Sequence, residues 1–325
     1  MTDTRATEDD IRHAYRLFLG REPDEHGFAL YARMLQNGGY STDELARYFL
    51  HSDEFLARNA ASAEMVEVAM DGYSLFANTA DRNIGASIIL GQVYEPYVET
   101  VVREILRPGH TFIDVGANIG YFAALGAHLV GPSGHVVAWE PMDRNVQLIY
   151  AAIWRNRFEN LVVYPFAASS KIGIVAMTSD PLGSNAGIAP RIFGEQRTRV
   201  LAQTQRLDEL HAGIERVDLV KFDIEGHEAF AWQGAQNLLA RHRPSVLTEF
   251  HPKCIRENTG RDPVEYLAML LEYSGSVQVL HRERARVVCT DVQSILSEWQ
   301  RADDDYGMGG GCIWTCSFAL LGIEM

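Results

Sequence analysis

Apolar positions follow three regimes along the 325-residue chain. From about residue 7 to 58 they recur at helical spacing. Ile11, Ala14, Tyr15, Phe18 and Leu19 share one face of a first helix, which Gly20 stops. Asp24 caps a second helix carrying Phe28, Tyr31, Met34 and Leu35, closed by Gly38-Gly39. Ser41 and Glu44 form a capping box for a third, with Leu45, Phe49 and Leu50 on its apolar face. Residues 1–60 therefore read as a small helical bundle.

Residues 61–107 read as a connecting segment. Met65 to Phe76 mixes helix and strand signals, and Tyr94 to Leu106 is helical until Pro108-Gly109. From residue 108 to 325, short apolar runs alternate with amphipathic ones. Strands are expected at 111–115, 135–139, 161–165, 217–223 and 245–250. Helices are expected at 119–130, 143–156, 228–241 and 262–273. An extra strand is expected at 171–178, and the tail predicts antiparallel strands at 277–281, 286–289 and 311–320 around a helix at 291–300. Such alternation predicts an α/β fold with a mostly parallel sheet and an antiparallel C-terminal strand, preceded by a small all-α domain.

The chemistry concentrates at two strand ends. The run Thr111 to Tyr121 is a buried strand, a glycine-shaped turn and a helix start, with Asp114 closing the strand and Gly116 and Gly120 in the turn. About 26 positions after Asp114, the strand His135 to Trp139 ends in Glu140. A carboxylate there suits ribose hydroxyls, while the glycine turn lets a nucleotide-like cofactor approach the backbone. The row Asp114-Val115-Gly116-Ala117-Asn118-Ile119-Gly120 lacks the middle glycine of a dinucleotide fingerprint. It suits a cofactor without a pyrophosphate, such as S-adenosylmethionine.

The second cluster runs from Val217 to Glu228. Asp223 falls at a strand's carboxyl end, where ligands bind in open α/β sheets. Strand alternation puts Lys221 on the same face. The neighbouring strand ends at Glu249, followed by His251-Pro252, so Asp223 and Glu249 are expected side by side with His227 and His251 above them. A histidine or a carboxylate of raised pKa could take a proton from a hydroxyl. Plainer readings stand beside these: Glu228 as a first-turn helix residue favoured by the helix dipole, Glu225 as a backbone cap, His251 as a loop residue. No metal is expected; Asp223, Glu249 and His251 are the residues that would hold a divalent cation if one were bound.

Composition narrows the setting. The formal net charge of −14 argues against nucleic acid or an anionic membrane as the main partner. Cys254, Cys289, Cys312 and Cys316 match no metal template, and Cys312 and Cys316 read as core on one strand. A reducing cytoplasm is the simplest compartment. The polar start is no signal peptide, and no apolar run approaches a membrane span. Trp154, Trp232, Trp299 and Trp314 read as packing residues.

Taken together, these segments resemble the FkbM-type methyltransferase family. The likeness rests on Tyr94-Glu95-Pro96, Pro108-Gly109, the Asp114 to Gly120 row, Glu140-Pro141, Ala167-Ala168-Ser169, Ser184-Asn185, Arg206 to Leu210, Lys221 to Gly226 and Glu249 to Pro252. It spans about residues 80 to 255. It implies a class I, Rossmann-like fold, S-adenosylmethionine as donor, and O-methylation of a hydroxyl on a sugar, glycolipid or glycosylated natural product. The N-terminal run Tyr15 to Asp24, with Gly38-Gly39 and Ser52 to Phe55, resembles a small helical domain of unassigned role found in bacterial surface and sugar-handling proteins. That tilts the acceptor toward carbohydrate, and makes a homodimer or protein contact through the helices an expectation.

The expected cofactor contacts are Glu95, Asp114, Gly116, Ala117, Asn118, Gly120, Tyr121, Glu140, Pro141, Asn145, Ala167, Ala168 and Asp223. Glu140 takes the ribose, Ala167-Ala168 the adenine and Glu95 the methionine end. Asp223, His227, His251, Lys221 and Glu249 are the catalytic candidates, with His227 or His251 as the base. The Ser184 to Gly187 loop is expected to close over the acceptor. Alternatives remain a polyketide or peptide-type acceptor, a nicotinamide dehydrogenase, or a non-catalytic docking protein.

Overall fold

The structure, a computed structural model, describes residues 5–38, 40–50, 52, 54, 64–82, 84–91, 93–179, 184–188, 198–281, 284–306 and 318–322. Gly39, Asp53, Phe55, Cys312, Trp314 and Cys316 lie outside the described residues.

Three helices open the chain: α1 (Glu8–Leu19), α2 (Glu25–Gly38) and α3 (Thr42–Leu50). Their ends follow the local chemistry. Gly20 ends α1 in the left-handed conformation. The Asp24 side chain accepts from Gly27 N at 2.8 Å, and Ser41 and Glu44 form the reciprocal pair of a capping box. Ile11, Tyr15, Leu19, Leu35, Leu45 and Phe49 bury a cluster of their own.

A hairpin of β1 (Met65–Ala69) and β2 (Ser74–Asn78) follows, then α4 (Ile84–Ile89) and α5 (Pro96–Ile105). Leu75, Ala77, Ile84, Ile88 and Val101 join the main core cluster. This connecting segment thus covers the sheet instead of merely linking to it.

The remaining elements are β3 (Thr111–Val115), α6 (Tyr121–Val130), β4 (His135–Trp139), α7 (Asp143–Asn156), β5 (Leu161–Tyr164), β6 (Ala167–Ala168), β7 (Gly173–Ser179), β8 (Ala186–Ile188), β9 (Thr198–Gln205), α8 (Leu207–Leu210), β10 (Leu219–Phe222), α9 (Glu228–Gln233), α10 (Gln236–His242), β11 (Ser245–Phe250), α11 (Pro252–Thr259), α12 (Pro263–Ser274), β12 (Val277–Leu280), β13 (Val287–Cys289), α13 (Val292–Tyr306) and β14 (Phe318–Gly322). The eight-stranded sheet runs β13-β12-β14-β11-β10-β3-β4-β5. Strands β11, β10, β3, β4 and β5 are parallel, and β14 is antiparallel to both neighbours. The mostly parallel sheet with an antiparallel strand from the C-terminal end is the expected arrangement, with one added edge strand. The strand order reverses between β3 and β10, which opens a crevice at their carboxyl ends.

The sequence pattern departs from the structure in definite places. The single helix expected at 228–241 breaks into α9 and α10 at Gly234, where a Cβ would stand 2.1 Å from Ser169 O. The extra strand β7 belongs to a separate four-stranded sheet, β6-β9-β7-β8. Trp232 and Trp299 pack in the core as expected, but Trp154 is 81% exposed. Cys254 and Cys289 are buried free thiols. Among the described residues, no helix is long and apolar enough to cross a membrane.

Candidate active site

A cavity of about 780 Å³ occupies the crevice at the carboxyl ends of β3, β4, β10 and β11. Its floor depends on glycine. Gly116 sits at φ +86°, and a Cβ there would fall 1.9 Å from Asp223 O. The turn is tied to the next strand, with Gly116 N and Ala117 N both donating to Trp139 O.

Glu140 closes β4 and organises that side of the cavity. Its Oε2 accepts from Asn118 N at 2.9 Å, and its Oε1 from Met142 N at 2.9 Å and Asn145 Nδ2 at 3.2 Å. Burial pushes its carboxyl up to about 7, against the pull of those donors.

On the other side, the β10–β11 register pairs Phe222 with Thr248, so Asp223 and Glu249 leave adjacent strands side by side. Lys221 Nζ is 2.6 Å from Asp223 Oδ2 and 3.9 Å from Asp114 Oδ1. Burial disfavours the Lys221 charge, but the carboxylates of Asp223, Asp114 and Glu95 outweigh it and raise the ammonium pKa. Burial also raises Asp114 to about 6, with Lys221 opposing. Glu249 lies well above the ordinary carboxyl range, through burial and then the carboxylates of Asp223, Glu225, Glu228 and Glu95. Its Oε2 is buried with no hydrogen-bond partner among the described residues.

Of the expected cofactor residues, Glu95, Gly116, Ala117, Asn118, Tyr121, Glu140, Pro141, Asn145, Ala167, Ala168 and Asp223 line the cavity. Asp114 and Gly120 do not. Asp114 lies under the wall against Lys221, and Gly120 lets α6 pack on α7, where a Cβ would meet Ile149 at 2.9 Å. Lys221, Asp223, Glu249 and His251 also line the cavity; His227 does not. His227 precedes α9, stacks near Phe230 at 4.6 Å, and burial lowers its pKa to about 4. His251 caps α11 by accepting Cys254 N on Nδ1 at 3.3 Å, so its neutral ring carries the proton on Nε2.

Residues 114–274 match the family model described as Methyltransferase FkbM domain, and residues 3–59 match a domain of unknown function. This segment is an FkbM-type methyltransferase domain. A Protein-L-isoaspartate O-methyltransferase from Methanothrix thermoacetophila is 41% identical over 56 residues, which is 17% of this chain and 27% of that relative. The chain therefore matches about a quarter of that relative's length. The solved structure of Methyltransferase FkbM from Methylobacillus flagellatus KT has TM-score 0.40 and 15% identity, over 82% of this chain and 70% of that one. A SAM-dependent O-methyltransferase from Thermotoga maritima has TM-score 0.36 and 13% identity, over 72% and 67%.

The methyltransferase domain takes S-adenosylmethionine, and the cavity is fitted to such a group. The floor at Gly116 has no room for a side chain, and Glu140 offers a buried carboxylate beside it. Among the described residues, no group of three or more His, Cys, Asp or Glu side chains is arranged to hold a metal ion.

Several cavity residues escaped the sequence reading. Glu225 sits in the left-handed region at φ 57° and lines the cavity, while Glu228 does the capping assigned to Glu225. Glu228 Oε1 accepts from Ile224 N at 3.0 Å and Gly226 N at 3.1 Å. Glu95, Asn118 and Glu225 are three of the five non-glycine residues at positive φ among those described, and all three line the cavity. Strain of this kind gathers at functional sites. Tyr94, Tyr97, Phe122 and Phe166 supply aromatic wall. The Ser184–Asn185–Ala186 stretch, which the sequence did single out as an acceptor loop, lines the cavity, and a Cβ on Gly187 would reach 3.2 Å from Glu225 Cβ.

Proposed function

We propose that the protein transfers a methyl group from S-adenosylmethionine to a hydroxyl of an uncharged sugar, as a free glycan, a glycolipid or a glycosylated natural product. The observation that carries this is a cavity wall rich in carboxyl groups and poor in basic ones. Glu95, Glu140, Asp223, Glu225 and Glu249 line it, and Lys221, its one lysine or arginine among the described residues, is already engaged by Asp223. Carboxyl groups hydrogen-bond hydroxyls in either protonation state, and the ionised ones repel phosphates. A neutral polyol suits such a wall; a nucleotide sugar does not.

Glu140 would hold the ribose hydroxyls, and Ala167 and Ala168 would flank the adenine. The cofactor supplies the electrophilic methyl group. The protein's task is to align the acceptor oxygen and remove its proton. His251 Nε2–H is a donor and would hold that oxygen. Asp223 is fixed in its pair with Lys221. Glu249, with a raised pKa and a buried unpartnered oxygen, would take the proton as the new O–CH₃ bond forms. This moves the base from the histidines to a carboxylate.

The test is Glu249→Gln, which keeps the shape and removes the base. Turnover should fall about 100-fold or more with S-adenosylhomocysteine affinity kept. Normal turnover in that variant would remove Glu249 from the chemistry.

A further inference from the structure

Two asparagines bridge Glu140 to successive residues of one loop. Asn145 Nδ2 donates to Glu140 Oε1 at 3.2 Å and to Ser184 O at 2.9 Å. Asn118 donates its backbone N–H to Glu140 Oε2 at 2.9 Å and its Nδ2 to Asn185 Oδ1 at 3.0 Å. Ser184 is held from a third direction, since its N–H donates to Asp81 Oδ1 at 3.2 Å. Asp81 in turn accepts from Gly85 N at the start of α4.

A loop residue anchored at both its N–H and its C=O has little freedom. Yet the Ser184 side chain has no work. The residue is 4% exposed, it lines the cavity, and its Oγ has no hydrogen-bond partner among the described residues. A buried hydroxyl left unsatisfied costs free energy unless a ligand completes it. The fixed backbone, the orphaned hydroxyl and the neighbouring Glu140 belong to one hydrogen-bonded unit.

We propose that Ser184 is a cofactor-contacting residue whose hydroxyl hydrogen-bonds the nucleoside end of S-adenosylmethionine, and that Asn145 positions it. The side of the loop nearest Glu140 then reads the cofactor, and the side at Gly187, against Glu225, faces the acceptor. The loop thereby joins the two halves of the cavity. The assignment rests on the reading of Glu140 as the ribose carboxylate.

The experiment is calorimetric titration of the full chain with S-adenosylhomocysteine and, separately, with methylthioadenosine, which lacks the amino-acid end. Ser184→Ala should weaken both ligands by a similar factor of roughly three to ten. Asn145→Ala should weaken both at least as much. Thermal melting of each variant shows that it is folded. Unchanged affinity for both ligands in folded Ser184→Ala overturns the proposal. A loss confined to S-adenosylhomocysteine overturns the nucleoside assignment. Glu140→Gln, titrated alongside, separates the two readings. If it binds normally while Ser184→Ala loses affinity, the ribose role of Glu140 fails and the Ser184 contact stands.

Discussion

The carbonyl oxygen of Asp223 occupies the place where Gly116 would carry a side chain, 1.9 Å from an ideal Cβ. The turn after β3 and the end of β10 therefore touch through backbone, and the crevice keeps its width only while residue 116 is glycine. Gly116→Ala adds a left-handed penalty of about 1–3 kcal/mol to that clash. We expect a lowered melting temperature and S-adenosylhomocysteine affinity reduced by more than about tenfold. A variant that melts and binds like the parent would show that the strands can part at little cost.

Glu140→Gln keeps the volume but removes the charge that accepts from Asn118, Met142 and Asn145. Cofactor affinity should drop by roughly tenfold, within the range of a charge-assisted hydrogen bond. Equal affinity by titration would remove Glu140 from the ribose.

Activity should rise with pH. Glu249 holds its proton well above the ordinary carboxyl range, and only its ionised form can accept the acceptor's proton. The pH–rate profile should show an ascending limb that vanishes from the residual rate of Glu249→Gln. A parental rate that falls with rising pH would contradict the assignment.

His227 lies off the cavity wall, before α9, with its pKa lowered to about 4. His227→Asn, which puts a favoured N-cap residue before α9, should keep turnover within about threefold of the parent. A collapse of kcat with the melting temperature intact would restore His227 to the chemistry.

Stability without cofactor should decline as pH rises. Buried Glu140 and Glu228 each have a folded pKa of about 7, above the range of an unfolded glutamate, and Asp114 is raised to about 6. Between about pH 4.5 and 7 the folded state binds more protons than the unfolded one, so this contribution is present at the acid end and lost through the folded pKa values. The melting temperature should fall across that window, and less steeply in Glu228→Gln. A melting temperature that climbs from pH 5 to 7 would contradict the burial argument.

The sheet was legible because its central strands are largely buried and read as short, mostly apolar runs, Val136 to Trp139 among them. The cavity-lining residues around Gly116 and Glu140 were legible because a tight turn calls for glycine and an acid closing a buried strand stands out in an apolar run. What stayed hidden depends on tertiary contact. Nothing near Gly234 announces that Ser169 O will lie against it. The choice between Glu225 and Glu228 as loop staple turns on a left-handed backbone at Glu225, which local pattern does not show. The histidines looked like bases by residue type. In the structure His251 spends Nδ1 on Cys254 N, and His227 is turned into the protein.

The most direct measurement is transfer of labelled methyl from S-adenosylmethionine by the full chain to matched acceptors: neutral sugars and alkyl glycosides, their phosphates, and nucleotide sugars. Label is expected on a hydroxyl of a neutral sugar or glycoside, with little or none on the phosphorylated partner of the same sugar. Preferential labelling of a phosphorylated or nucleotide-linked acceptor would contradict the reading of the carboxylate-lined cavity.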